Sequence, residues 1–133
     1  MGMLVDMSAW PVVYYVYDGP LSAAELKAYL AKQEQLIGRN KKYVVVADFS
    51  SGEVPPPAQR AAQADFDKRH ADVTAKLCLG VAFVVPGALM RGAITAYTWI
   101  VGSVYPMKIC ATRAEAQAYV NEKLSAAGLS PPG

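Results

Sequence analysis

Short runs of apolar residues alternate with longer stretches in which apolar residues recur every three or four positions. The short runs are rich in β-branched and aromatic residues, which is typical of β-strands, whereas the longer spacing is typical of helices that pack on one side. Only Ser8–Pro11 separates the first two runs, which favours an antiparallel hairpin. The five predicted strands are Leu4–Met7, Val12–Tyr17, Tyr43–Ala47, Leu79–Val85 and Met107–Cys110.

Capping boxes mark the start of two of the predicted helices. Ser22 with Glu25, and Thr112 with Glu115, have the S/T-x-x-E spacing in which side chains satisfy free N–H groups of a first turn. The four predicted helices are Ser22–Ile37, Pro57–Ala75, Ala88–Ser103 and a last helix that runs from Thr112 to a stop at Gly128. The apolar stripe of the second helix is thin, so this helix must pack closely or remain largely exposed. Its members are Ala58, Ala61, Ala62, Phe66 and Val73.

The order of these elements is β-β-α-β-α-β-α-β-α, which predicts an α/β protein. Successive β-α-β units place parallel strands side by side, and the opening hairpin adds an antiparallel edge. We therefore expect a five-stranded mixed sheet with four helices. No repeat or linker interrupts the pattern, so residues 1–128 are predicted to form one domain and residues 129–133 a flexible tail.

The third predicted helix carries no charge on either of two neighbouring stripes. A helix that is apolar all round is usually buried all round, and in a chain of 133 residues the second face must meet something else. Three interpretations remain open: a core helix of the monomer, a homodimer or partner interface, and a surface for an apolar ligand. The residues predicted to bind a partner or ligand are Leu89, Gly92, Ala96, Trp99 and Ser103.

The apolar stretch from Leu77 to Met107 contains Arg91 as its only charge. Pro86 and Gly87 divide it into two pieces shorter than a spanning helix needs, so a buried strand and a buried helix are favoured over a membrane hairpin. The first residues lack the pattern of a secretory signal, and a cytoplasmic location is expected. Cys78 and Cys110 share no motif and are predicted to be free buried thiols.

Charge and composition argue against a nucleic-acid interface and against a metal or cofactor site. With 13 basic and 11 acidic residues the net charge is +2, too small for a nucleic-acid interface. His70, the single histidine, is predicted to be a solvated helix residue, and too few ligands remain for a metal or cofactor site. Asp48, Arg60 and Arg91 could form a polar site at the carboxyl edge of the sheet. The alternative is that Asp48 only accepts hydrogen bonds from its own loop.

Three local motifs and the element order resemble the SpoIIAA-like, or STAS, family, in particular its stand-alone STAS/SEC14 members. The motifs are Gly19–Ser22, Val44–Ser50, and Met107–Cys110 followed by Thr112–Ala116. The resemblance implies an anti-sigma-factor-antagonist-like module with a phosphorylatable serine, here Ser50 or Ser51. Phe49 and three prolines interrupt the family's pattern at this point.

The resulting expectation is a non-enzymatic regulatory binding module that acts through protein–protein interaction and forms a homodimer. The alternative is a carrier or sensor of a small hydrophobic, lipid-like ligand. In that case the ligand lies against the second and third predicted helices. The SEC14-type resemblance likewise implies a carrier role.

Overall fold

The structure is a computed structural model that describes residues 3–51, 55–85, 87, 92 and 105–130. Five strands and four helices lie within these residues. They are β1 (Met3–Asp6), β2 (Val12–Tyr17), α1 (Ala23–Gly38), β3 (Tyr43–Asp48), α2 (Pro57–Arg69), α3 (Ala71–Leu77), β4 (Cys78–Val84), β5 (Met107–Cys110) and α4 (Arg113–Ala126).

The strands form one mixed sheet in the order β1-β2-β3-β4-β5. The β1–β2 pair is antiparallel, and the other three pairs are parallel. This confirms the predicted α/β architecture with an opening antiparallel hairpin. All six residues of β3 are buried, as expected for a central strand that is apolar along its length and covered on both faces.

Both predicted capping boxes mark helix starts. Ser22 is the N-cap of α1: its hydroxyl accepts from the Glu25 N–H at 3.1 Å, and the Glu25 carboxylate accepts from the Ser22 N–H at 2.9 Å. At α4 the Thr112 hydroxyl accepts from the Glu115 N–H at 3.2 Å. These bonds satisfy N–H groups that the helices themselves leave free.

The predicted second helix is two helices rather than one. His70 has φ −109° and ψ 19°, outside helical geometry, and separates α2 from α3. The prediction of a solvated histidine is also wrong. The His70 ring lies 4.3 Å from the Phe66 ring, and its Nε2 atom is buried.

Successive side chains of β3 point to opposite faces of the sheet, so the core consists of two clusters, one on each face. Tyr43, Val45 and Ala47 face α1 and α3, whereas Val44 and Val46 face α4. The strands lie in the sheet in their sequence order. Right-handed connections between successive parallel strands therefore all place their helices on the same face of the sheet. The last helix packs on the opposite face, through Ala116, Val120 and Leu124.

The two cysteines are free and buried, as predicted. Cys78 belongs to the cluster under α1 and α3, and Cys110 to the cluster under α4, so the sheet separates the two thiols. Leu129, in the predicted tail, packs against the α4 cluster, and its N–H donates to the Leu124 carbonyl at 2.9 Å.

The predicted third helix, Ala88–Ser103, lies outside the described residues except for Gly92, which is exposed. Within the described ranges, no helix combines the length and the apolar character needed to cross a bilayer.

Candidate functional site

A cavity of about 120 Å³ lies between the sheet and the helices α1, α2 and α3. Its floor is the face of β3 and β4 opposite α4, so its position follows from the strand alternation described above. The floor is apolar and partly aromatic. The residues that form it are Val45, Ala47, Phe49, Val81 and Phe83.

Helix α2 contributes an unexpectedly polar wall. Residues spaced three and four apart share one helix face, and here that face meets the cavity. The α2 residues that line the cavity are Gln59, Arg60, Gln63, Phe66 and Asp67. Sequence reasoning placed Ala58 and Ala61 on the inner stripe, but both are exposed, so the prediction was wrong for these two. It holds for the buried Phe66, for the partly buried Ala62, and for Val73, which packs against the core from α3.

Two glutamines join α1 to α2 across the cavity. The side-chain amides of Gln33 and Gln63 exchange two hydrogen bonds, each 2.9 Å long. The Gln63 amide also donates to the Asp67 carboxylate at 3.0 Å. Gln33 is 6% exposed, and such a buried amide is tolerated because its partner satisfies it.

Asp67 is the acidic residue of the cavity wall among the described residues. Burial raises the pKa of its carboxyl from 3.8 to about 7, against a smaller lowering by the Gln63 hydrogen bond. Burial disfavours the charged form of any carboxyl because the protein solvates it less well than water does. Asp67 therefore titrates near neutral pH.

The remaining polar wall consists mainly of tyrosines. Tyr15 and Tyr29 meet edge to face with ring centroids 5.7 Å apart, and Tyr43 and Tyr105 also line the cavity. Burial raises the pKa of all four phenols, so each stays protonated. Burial also raises the pKa of the Cys78 thiol to about 12, so this thiol is not a ready nucleophile.

Gln59 and Arg60, which are consecutive in α2, both line the cavity. The Arg60 Nε atom is buried without a hydrogen-bond partner. Gln59 is 8% exposed, and its carbonyl oxygen accepts from the Leu21 N–H at 3.3 Å. The side-chain NH₂ group of Gln59 therefore remains as a hydrogen-bond donor.

The predicted polar site at the carboxyl edge of the sheet is divided between two faces. The Asp48 carboxylate lies 3.9 Å from the Arg113 guanidinium of α4, whereas Arg60 lies on the cavity side. Asp48 accepts from the Ser50 N–H at 2.8 Å and from the Ser50 hydroxyl, which is the loop role given as the alternative. Ser51 is exposed, and Arg91 lies outside the described residues.

Most of the predicted partner-binding surface lies outside the described residues, namely Leu89, Ala96, Trp99 and Ser103. An interface on the third predicted helix therefore stays a prediction. Within the described ranges, no three His, Cys, Asp or Glu side chains gather as metal ligands.

Comparisons with protein-family models, with curated proteins and with solved structures found no match to this chain.

Proposed function

We propose that this chain is a non-enzymatic carrier or sensor of a small, mostly apolar ligand. The single observation that carries the proposal is the cavity between the sheet and α1–α3. Ligand sites are typically concave and apolar, with a few polar groups that fix orientation. This cavity has that composition: an apolar floor from β3 and β4, and a polar wall from α2.

The size of the cavity limits the ligand. An apolar cavity of about 150 Å³ holds one benzene molecule. A volume of about 120 Å³ therefore fits an apolar body of about one six-membered ring or a short branched chain. A whole phospholipid does not fit, so the lipid-like ligand expected from the sequence is replaced here by a smaller molecule.

The absence of a catalytic role is part of the proposal. A nucleophile needs an adjacent base or a lowered pKa. The Cys78 thiol has the opposite shift, and the cavity phenols are held protonated by burial. The thiol and the phenols are therefore suited to binding a ligand by shape and by hydrogen bonds.

Membership of the SpoIIAA-like family is likewise proposed. What supports it is the five-stranded mixed sheet with an antiparallel opening pair, together with the Asp48–Ser50 hydrogen bonds at the end of β3. If the chain is a member, the family's regulatory role and its interaction with protein partners are expected of it as well.

The proposed function can be tested by native mass spectrometry of the protein purified from its own host. Ala47→Leu adds three carbons to the cavity floor, where Ala47 is 5% exposed. The matched control is Ala28→Leu, the same substitution at an exposed position of α1.

We expect the wild type and Ala28→Leu to carry a small bound molecule, and Ala47→Leu to lose it while keeping its far-UV circular dichroism spectrum. Wild-type protein that is free of any bound mass, and that gains none from a host metabolite extract, would contradict the proposed function. Equal retention by Ala47→Leu would place the ligand elsewhere.

A further inference from the structure

We propose that the cavity selects a small organic anion, a carboxylate attached to an apolar body, and that Arg60 is the residue that recognises its charge. This inference rests on the proposed function and names its ligand class. Three features of the α2 wall carry it: a guanidinium that has no acidic partner among the described residues and a buried, unpaired Nε atom, an amide donor on the neighbouring residue, and the orientation of the helix.

Arg60 has no acidic partner among the described residues. Arg39 has none either, but it is exposed and its guanidinium lies 4.7 Å from the centroid of the Trp10 ring. Arg69 pairs with Asp65 at 3.0 Å, and Arg113 lies 3.9 Å from Asp48. Arg60 lines the cavity with its Nε atom buried and without a hydrogen bond. A buried donor without an acceptor costs free energy, and a ligand that supplies the acceptor recovers it.

Gln59 adds a second donor at the same end of the cavity. Because the Leu21 N–H occupies the Gln59 oxygen, the NH₂ group of Gln59 faces its surroundings as a donor. Arg60 and Gln59 together therefore present donors. This arrangement suits a ligand group that only accepts hydrogen bonds, and an ionised carboxylate is such a group.

The polarity of α2 agrees with an anion at this end. Gln59 and Arg60 lie near the first turn of α2, and no side chain caps that turn. The N-terminal end of a helix carries partial positive charge, which favours anions. Asp67 lies seven residues further on, about 10 Å along the axis at about 1.5 Å per residue, so the cavity is positive at one end and acidic at the other.

The apolar part of the ligand can pack against aromatic residues at the same end of the cavity. Helix α2 follows β3 in the chain, so its first turn lies towards the carboxyl end of that strand. Phe49 and Phe83 line the cavity there, with their rings stacked 6.3 Å apart. A carboxylate held by the planar guanidinium leaves its hydrocarbon part against these rings, and Arg binds carboxylates in a geometry that Lys does not reproduce.

Three probes of similar size test the inference by calorimetric titration at pH 7: benzoate and benzamide, which have nearly the same shape, and benzylamine. They share one ring and carry a negative, a neutral and a positive group. We expect benzoate to bind at least about tenfold more tightly than benzamide, as one charge-assisted hydrogen-bonded pair predicts. In Arg60→Gln this preference is lost while the affinity for benzamide stays within about twofold, which also shows that the cavity is intact.

The matched control is Arg69→Gln, which removes an exposed arginine of the same helix and should keep the preference for benzoate. Arg60→Lys should keep part of it. Equal affinity for benzoate and benzamide, tighter binding of benzylamine, or an unchanged preference in Arg60→Gln would overturn the inference and leave the cavity as a ligand site. Failure of all three probes to bind would overturn the inference too, whereas the proposed function is decided separately by the native mass spectrometry described above.

Discussion

Replacing Asp67 by asparagine should change how the stability of the protein depends on pH. The Asp67 carboxyl has its pKa raised to about 7 in the folded protein, mainly by burial, against an ordinary value of 3.8. Between these two values the folded state holds a proton that the unfolded state has released. The free energy of unfolding therefore falls as pH rises through this window.

The size of the effect follows from the shift. A difference of about three pKa units, at about 1.4 kcal/mol per unit, sets an upper limit of about 4 kcal/mol. Asp67 keeps some contact with solvent, so we expect about 2 kcal/mol. This contribution is fully present below about pH 4 and is lost as the pH rises through about 7.

Asp67→Asn stays neutral at every pH, has nearly the same shape and keeps an oxygen for the Gln63 amide. We expect the variant to match the wild type at about pH 3, below the unfolded-state pKa, and to exceed its free energy of unfolding by about 2 kcal/mol at about pH 8. Urea denaturation followed by circular dichroism measures this difference. Asp65→Asn, on the exposed side of the same helix, is the control and should keep the wild-type profile.

A difference between Asp67→Asn and the wild type that is constant from about pH 3 to about pH 8 would refute this reasoning. It would mean that the Asp67 carboxyl does not gain a proton on folding in this range. A wild type that becomes more stable relative to the variant as pH rises would reverse the sign and contradict the burial argument directly.

Two further predictions concern parts of the chain outside the cavity. Ser22→Ala removes the side-chain acceptor of the α1 capping box and should lower the free energy of unfolding by about 1 kcal/mol in urea denaturation, with Ser130→Ala as a control that removes no cap. Leu124→Ala, at a position that is 0% exposed, should cost about 3 kcal/mol, whereas Leu4→Ala, at a position that is 59% exposed, should cost less than about 0.5 kcal/mol. Equal losses for the two leucine variants would contradict the assignment of the α4 face as core.

The sheet and the helix starts follow from local signals in the sequence. The predicted bounds Val12–Tyr17 and Met107–Cys110 agree with the structure. The first is a run of β-branched and aromatic residues that ends at Asp18 and Gly19, and the second lies between Pro106 and the helix cap Thr112. The capping boxes at Ser22 and Thr112 locate helix starts, because the chemistry of a cap involves only four successive residues.

The cavity could not be predicted because its wall breaks the usual pattern of apolar inside and polar outside. Gln63 faces inward because Gln33, 30 positions away in the chain, satisfies its amide. No local pattern contains that pairing. The signal present in the sequence is Gln59, Gln63 and Phe66 at helical spacing, which places one aromatic on a polar stripe and could have marked α2 as facing a cavity.

The break at His70 was missed for a related reason. Residues 57–75 contain no internal glycine or proline after the first turn, so helix propensity alone continues the helix through that position. At the break the Phe66 and His70 rings lie 4.3 Å apart, and the His70 Nε2 atom is buried. Tertiary packing overrides propensity at such a position.

The central claim, a cavity with an apolar floor between the sheet and α1–α3, is tested most directly by methyl NMR under xenon pressure. Xenon enters dry apolar cavities and shifts the methyl resonances around it. We predict saturable shifts at the floor residues Val45 and Val81 and none at Val44 and Val120 on the α4 face. No saturable shift at Val45 and Val81, or equal shifts on both faces of the sheet, would contradict the account.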